Sequence, residues 1–411
     1  MEKIIIIGAG IVGLATAYKL LEAEPDLKIT IIEKEKDICK HQTGNNSGVI
    51  HSGIYYKPGS LKAQNCRKGY QKLIDFCDIN GIEYDLCGKI IVAVDEKEIP
   101  YLNNLYERGV ANGLERMKKL SAAELKEYEP NVNGVSGIFV PQTGIIDYKQ
   151  VGKKLKELLI EKGVEFKFGE AVKKIKSKSE SKSKEKIIEV GTDKCNYSAD
   201  FVISCAGLHS DRVARMTNPN LNVRIIPFRG EYYKISEERK NLVKNLIYPV
   251  PDPAFPFLGV HFTRMIDGKV EAGPNAVLAF KREGYKKTDI NIPDSIETFA
   301  WPGFRKVMYK YWRTGLGEFH RSFSKKAFVI ALQRLLPAIK EEYLVHGGAG
   351  IRAQACDKYG GLVDDFLFEE QENVLHVLNA PSPAATSSLA IGEEIAKRVR
   401  MNKDYGSRVR V

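Results

Sequence analysis

The run Lys3-Ile-Ile-Ile-Ile-Gly8-Ala-Gly10-Ile-Val-Gly13, answered by Ile29-Thr-Ile-Ile-Glu33, constrains the fold of this chain more than any other feature. Four isoleucines make a short buried strand, and Gly8, Gly10 and Gly13 form GxGxxG at the strand-to-helix turn. The first glycine permits a tight turn, the second lets the backbone approach a pyrophosphate, and the third lets the helix close on its strand. A helix continuing over Ala15 to Glu22 turns its N-terminal amides and positive dipole end toward the phosphates. Glu33 ends the second strand twenty residues past Gly13, where its carboxylate can accept from both ribose hydroxyls. It would repel a 2′-phosphate, so FAD or NAD fits and NADP does not. The single opening lysine and the stretch ending Ala15-Thr16-Ala17 superficially resemble a secretory signal. Cleavage there would discard the nucleotide loop and leave Glu33 behind, so that reading is set aside.

With 411 residues, 43% of them hydrophobic, the chain is long enough for two or three domains with real cores. No apolar stretch reaches the roughly 18 to 20 residues that span a bilayer. The seven cysteines (39, 66, 77, 87, 195, 205 and 356) are scattered, odd in number and without a CxxC pair. This pattern points to a reducing compartment and free thiols, and against a disulfide framework or a metal site. Net charge is +11. Lysines alternate with glutamates on helical stretches, as on a solvated face, and no basic block is interleaved with aromatics, so no nucleic-acid partner is expected. The basic tail, Arg398-Val-Arg-Met-Asn-Lys403 and Arg408-Val-Arg410, reads first as a solvated end and second as a membrane-surface contact. The expected location is cytoplasmic, with room for peripheral contact at the inner face of the cell membrane.

Two textures alternate along the chain. Asp147-Tyr148 start a helical pattern to Lys162, followed by strand-like pieces at Val164–Phe168, Ala171–Ile175 and Ile187–Val190. Phe201-Val-Ile-Ser-Cys-Ala-Gly207 is a buried strand ending in small residues, a second place where backbone can pass close to a nucleotide. The charged, low-complexity Ser177–Lys186 segment reads as a solvated hairpin loop. Residues 76–145 hold polar helical stretches and a Gly88–Val94 strand, and 223–330 open with alternating runs typical of antiparallel strands. The texture of short strands and glycine turns returns after Lys340 and ends in a helix over about Ala385 to Arg400. The expected fold is α/β. A Rossmann-like dinucleotide domain (1–75, 146–222 and 335–411) is interleaved with an α+β substrate domain (76–145 and 223–334) on a mainly antiparallel sheet.

Histidine is scarce, so its placement matters. His51 lies in a glycine-rich segment after the second strand, and His261 lies in Gly259-Val-His-Phe-Thr-Arg264. Either could serve as a base. An offset of three sets His261 and Arg264 on opposite faces of a regular strand, so they share a pocket only through twist or a bulge. His41, His209, His320, His346 and His376 read as structural. Arg229, Arg264 and Arg352 sit in strand-like or glycine-rich surroundings of low charge, where a guanidinium fork suits a buried carboxylate. Asn379-Ala-Pro-Ser-Pro383-Ala-Ala-Thr386 leads into a helix whose N-terminus can stabilise negative charge.

The opening βαβ unit, Thr43–Tyr56, Asp147, Cys205-Ala-Gly207 and the C-terminal glycine-turn-to-helix segment resemble the FAD-dependent D-amino-acid-oxidase/glycine-oxidase superfamily. Within it, Asn46-Ser-Gly-Val-Ile-His51, Pro227-Phe-Arg-Gly-Glu-Tyr232, Tyr248-Pro-Val-Pro-Asp-Pro253, Phe257-Leu-Gly-Val-His261, Thr263–Gly268, Gly273–Tyr285, Arg352-Ala-Gln and Ala380–Thr386 resemble the L-2-hydroxyglutarate dehydrogenase/oxidase family. Asn45 and Ser52 depart from its pattern, where histidine and alanine are usual. The resemblance implies non-covalently bound FAD, held by Gly8, Gly10, Gly13, Glu33, Lys34, Thr43, Asn46, Ser47, Val172, Ala206, Gly207, Gly350, Ala384, Ala385 and Thr386. It implies oxidation of a small dicarboxylate, L-2-hydroxyglutarate, to 2-oxoglutarate by hydride transfer from C2 to flavin N5. Electrons would pass to oxygen or a membrane quinone. His261 is the favoured base with His51 beside it, and Arg264, Arg352, Arg229 and Tyr232 are the candidate substrate contacts. The nucleotide signals by themselves would equally serve an amino-acid oxidase or a glycerol-3-phosphate dehydrogenase, and the oligomeric state is left open.

Overall fold

A computed structural model of the chain describes residues 2–179, 186–252 and 257–408. The middle of the lysine–serine segment, Pro253 and the last three residues of the basic tail lie outside the described residues.

The isoleucine run forms strand Lys3–Ile7 in the middle of a six-stranded sheet. Its spatial order is Leu367–Gln371, Val374–Asn379, Phe201–Ser204, Lys3–Ile7, Lys28–Glu33 and Glu165–Phe168. Every pairing is parallel except that of the outermost strand, Leu367–Gln371. A parallel sheet is buried on both faces, which is why the strand is apolar from Ile4 to Ile7. Ile4 and Ile6 pack with helices Ile11–Ala23, Tyr148–Glu161 and Ser388–Arg408. Ile5 and Ile7 face the other way, onto Ile175, Ile188 and Val190 of a three-stranded antiparallel layer. Asp147 caps helix Tyr148–Glu161 by accepting from the Lys149 N–H at 2.8 Å.

The second large sheet has nine strands and is antiparallel except where Leu246–Pro249 runs parallel to Lys89–Ala93. Strand Leu344–Asp357, expected with the nucleotide domain, pairs in this sheet along nearly the whole length of Val223–Ile235. Its run of glycines, Gly347, Gly348 and Gly350, hides a strand from periodicity, because hydrogen-bond register rather than apolar alternation holds it there. Helices Ile292–Ala300, Pro302–Phe323 and Lys325–Gln333 follow the antiparallel strands. The C-terminal helix begins at Ser388, three residues later than expected, so Ala384–Thr386 lie in the turn before it. In the basic tail, Arg398 pairs with Glu370 and Glu394, and Arg400 pairs with Glu24. No helix of the described residues is long and apolar enough to cross a membrane.

Candidate active site

A cavity of about 1220 Å³ runs between the two sheets. On the nucleotide side it is lined by Gly8, Gly10, Glu33, Lys34, Thr43, Asn46, Ser47, Val172, Ala206 and Gly207, and by Gly350, Ala384 and Ala385. Gly8 has φ +105°, and a Cβ on Gly13 would stand 2.0 Å from the Gly8 carbonyl oxygen. Gly13 thus does not touch the cavity; it lets the helix close on the strand beneath it. The loop after the second strand is tied to that helix by the Ile11 N–H donating to Thr43 Oγ1 at 3.1 Å, and is closed on itself by Asn46 Nδ2 donating to the Thr43 carbonyl at 2.6 Å. Glu33 Oε2 accepts from the Ala9 N–H at 2.8 Å and Oε1 from the Glu35 N–H at 2.9 Å, which holds the carboxylate at the sheet's edge, where a ribose would lie. Gly350 lets its strand meet the same loop, since a Cβ there would be 2.5 Å from the Asn45 carbonyl oxygen. Thr386 supports from behind: its hydroxyl accepts from the His51 N–H at 3.1 Å and lies 2.7 Å from the Tyr148 hydroxyl.

Lys34 belongs to a charged cluster that sequence reading missed. Its ammonium lies 2.5 Å from Glu35 and 2.6 Å from Glu283, with His41 Nε2 at 2.8 Å. His209 donates to Glu283 at 2.9 Å. Burial opposes the Glu283 charge, yet His209 and Lys34 carry its carboxyl well below the usual range. Glu35, His41 and Glu283 converge closely enough to suggest a cation site, but the Lys34 ammonium already supplies the positive charge there. His41 and Glu283 are about 240 residues apart, so no local spacing could have announced the cluster.

The far end of the cavity is lined by His51, His261, Tyr232 and Arg352, with Tyr55 and Tyr248. His261 Nδ1 lies 2.9 Å from the Gly259 carbonyl, which can only accept. The ring proton therefore sits on Nδ1, and the Nε2 lone pair has no hydrogen-bond partner among the described residues. Burial, with Arg352 and Lys89 nearby, pushes the His261 pKa down to about 3. His51 is lowered to about 3 by burial and then by Lys89 and His261. Arg352 donates to the Asn275 carbonyl at 3.3 Å and rests on the Phe257 ring, but pairs with no carboxylate among the described residues. Burial lowers its pKa. Burial also raises Tyr232 to about 12, keeping it a neutral donor.

Two expected contacts are absent from this end. Arg264 ion-pairs with Asp85, because strand His261–Arg264 is regular and pairs residue by residue with Val270–Gly273, which turns the third residue after His261 away from the cavity. Arg229 is buried but committed, with Nε donating to Glu231 at 2.9 Å and Nη1 to the Lys286 carbonyl at 3.2 Å. Lys89 was not foreseen. Only 1% exposed, it sets its ammonium 4.4 Å from the Tyr55 ring and 4.9 Å from the Tyr248 ring, and burial pulls its pKa down to about 7. The Tyr55 hydroxyl is buried without a hydrogen-bond partner among the described residues. A lysine opening the apolar strand Lys89-Ile-Ile-Val-Ala93 was the available signal.

A cradle of glycine backbone, an acid at the ribose position and a long cavity ending in uncommitted cationic and basic groups fit a dinucleotide and a small anion end to end. The family model described as FAD dependent oxidoreductase (DAO) matches residues 3–398. The chain belongs to that family. FAD is accordingly the dinucleotide of this oxidoreductase. The L-2-hydroxyglutarate dehydrogenase of Indibacter alkaliphilus is 57% identical over 396 residues, covering 96% of this chain and 98% of that protein. The mitochondrial L-2-hydroxyglutarate dehydrogenase of Nematostella vectensis is 48% identical, covering 96% of this chain and 89% of that one. The reduced, FAD-bound L-alpha-glycerophosphate oxidase of Mycoplasma pneumoniae shares the fold, with a TM-score of 0.78 at 23% identity over 97% of this chain and 95% of that one.

Proposed function

We propose that this FAD-dependent oxidoreductase oxidises L-2-hydroxyglutarate to 2-oxoglutarate, with FAD held non-covalently along the glycine cradle. The observation that carries the reading is the pairing of two groups at one end of the cavity: Arg352, with no carboxylate partner among the described residues, and His261, with Nε2 unengaged among them. Bound FAD supplies the two-electron acceptor for the hydride leaving C2. Arg352 takes a substrate carboxylate through its fork and so fixes the position of C2. His261 Nε2 accepts the hydroxyl proton as the C–O bond becomes a carbonyl. Burial first, and then Arg352 and Lys89, hold the His261 ring neutral and so ready to accept; a substrate dianion beside those two cations favours the protonated ring that the step produces. Tyr232 and the orphaned Tyr55 hydroxyl are donors for substrate oxygens, and Lys89 adds positive charge behind the tyrosine pair. Electrons leave to oxygen or a membrane quinone.

The deciding experiment is anaerobic mixing of the holoenzyme with L-2-hydroxyglutarate, with flavin absorbance followed by stopped flow. Bleaching is expected with this substrate, and none with glycine, L-amino acids or glycerol 3-phosphate. Reoxidation by air and by a soluble quinone then identifies the acceptor. Bleaching by an amine or by glycerol phosphate instead would transfer the chain to one of the other activities the fold can carry.

A further inference from the structure

Every residue after the first in strand Lys89-Ile-Ile-Val-Ala93 is apolar, and all five are buried. Ile90 and Val92 pack in one core with Phe262 and Leu332, and Ile91 and Ala93 pack in another with Ile54 and Leu105. Alternation sets Lys89 in the row of Ile91 and Ala93, the face on which Leu105 and Val250 continue into the cavity lining. An ammonium in such a row is costly unless something answers its charge. Among the described residues Lys89 has no ion pair, and what meets it is the rings of Tyr55 and Tyr248. Attraction to two ring faces offsets only part of the desolvation. The fold holds a charge here that it does not itself neutralise.

Arg352 is in the same condition, with no carboxylate partner among the described residues. The two cations converge on one group, since both oppose protonation of the His261 ring. Tyr248 joins Lys89 to that ring: its own ring lies 4.9 Å from the ammonium and 3.9 Å from the imidazole. Other cations that line the cavity nearby are committed. Lys62 pairs with Asp364 at 2.8 Å, and Arg108 donates to the Tyr55 carbonyl at 2.9 Å. Two unanswered positive charges beside one base match a substrate with two carboxylates, one next to the reacting carbon and one at the far end of its chain. The Arg352 fork suits the first, because it also fixes C2. Lys89, a point charge behind two rings, suits the second. The Tyr55 hydroxyl, buried without a partner among the described residues, is the hydrogen-bond donor that goes with it.

We infer that Lys89 supplies the counter-charge for the second carboxylate of the substrate and so restricts the enzyme to 2-hydroxy diacids. The inference rests on the reading of the site as one that oxidises L-2-hydroxyglutarate. It divides the work between two residues: Arg352 positions the reacting carbon of a 2-hydroxy acid, and Lys89 selects among such acids by their far end. An acid with an apolar or amide tail leaves Lys89 buried without a counter-charge, and that penalty rejects it.

The test compares turnover of L-2-hydroxyglutarate by the FAD-loaded enzyme with turnover of its terminal amide, which keeps the length and shape but lacks the second charge. The parent is expected to favour the diacid in kcat/KM by about thirtyfold or more. Lys89→Met should remove most of that preference, by losing far more on the diacid than on the amide. Arg352→Lys should lower both substrates alike. Flavin content per chain and the thermal transition show whether each variant is folded. Lys89→Gln, neutral and hydrogen-bonding, carries the same kinetic expectation and replaces the methionine variant if that one does not fold. Retention of the parental preference in a folded neutral variant would overturn the inference and leave Lys89 a structural residue. A parent with no preference for the diacid over the amide would overturn it as well, as would an Arg352→Lys variant that loses only the diacid. Failure of the parent to reduce its flavin with L-2-hydroxyglutarate at all would instead overturn the reading of the site, and the inference with it.

Discussion

On the nucleotide wall of the cavity the backbone makes the site; on the opposite wall side chains make it. Gly8, Gly10 and Gly13 act by what they lack, and their spacing of two and three residues is their whole specification. Arg352, His261, Tyr232 and Lys89 come from four strands, and each is aimed by the register of its strand against a neighbour. A backbone site is therefore written locally, whereas a side-chain site is written in pairings between distant segments. Arg264 and Arg352 show the difference, since both looked alike in sequence, yet only Arg352 lines the cavity and only Arg264 is ion-paired.

The hardest test of this contrast is Gly13→Val. The first added carbon would stand 2.0 Å from a carbonyl that belongs to the phosphate turn itself. Neither backbone can give way, so loss of FAD and of folding is expected, read as flavin absorbance per chain and as the thermal transition. Parental flavin content would show that the spacing is not the specification. On the other wall, His261→Ala should slow flavin reduction by about 10² to 10⁴ with FAD content intact. His51→Ala should have the smaller effect, because its Nε2 already lies 3.2 Å from the Ser382 hydroxyl. The reverse order would move the base to His51.

The two arginines give a sharper contrast at lower amplitude. Arg352→Lys loses the fork and should lower kcat/KM by about tenfold or more. Arg264→Lys should leave kcat/KM within about twofold, since a half-exposed pair with Asp85 contributes about 1 kcal/mol or less to stability. Equal losses in both variants would erase the distinction.

The least direct test reads stability against acid rather than catalysis. His51 and His261 are held at about 3 in the fold, and His376 at about 4, against about 6.5 in the unfolded chain. Below pH 6.5 the unfolded state binds the extra protons. The stabilisation from neutral burial is thus complete above about pH 6.5 and is lost as pH falls toward 3 to 4. Each histidine contributes a slope of up to about 1.4 kcal/mol per pH unit in that window. Glu283 and Glu297 have lowered values, so they begin to respond only at more acid pH. Denaturant midpoints at pH 7 and pH 5 should differ less in a His51→Ala/His261→Ala variant than in the parent; an unchanged difference would assign the sensitivity elsewhere.

The nucleotide half was largely legible in the chain. Strand, glycines, helix and Glu33 stand at the spacing the fold requires, and the return through Phe201–Gly207 follows from its run of small residues. In the other half, alternation disclosed an antiparallel sheet but not its order. His261 and Arg352 could be picked out, but the regular pairing that separates His261 from Arg264 could not be checked without knowing the partner strand. Strand Leu344–Asp357 was misplaced because its glycines carry no apolar signal. Lys89 escaped notice because a lysine at the head of a strand usually faces water, and its burial depends on two tyrosines distant in sequence.

The order of strands in the parallel sheet also bears on how the chain is made. Lys3–Ile7 leaves the ribosome well before its partners: one of its two neighbours, Phe201–Ser204, is almost 200 residues behind it, and Val374–Asn379 follows far later. At ordinary elongation rates the wait for the first is on the order of 10 to 40 seconds. Throughout it, a strand that is apolar on both faces has one open edge. The flavin cannot shelter it, since part of the cavity lining, Ala384–Ala385, emerges far later than the strand itself. A nascent chain arrested before residue 385 is therefore expected to bind no flavin and to need a holding chaperone, and release of the full length should be the step at which both needs end.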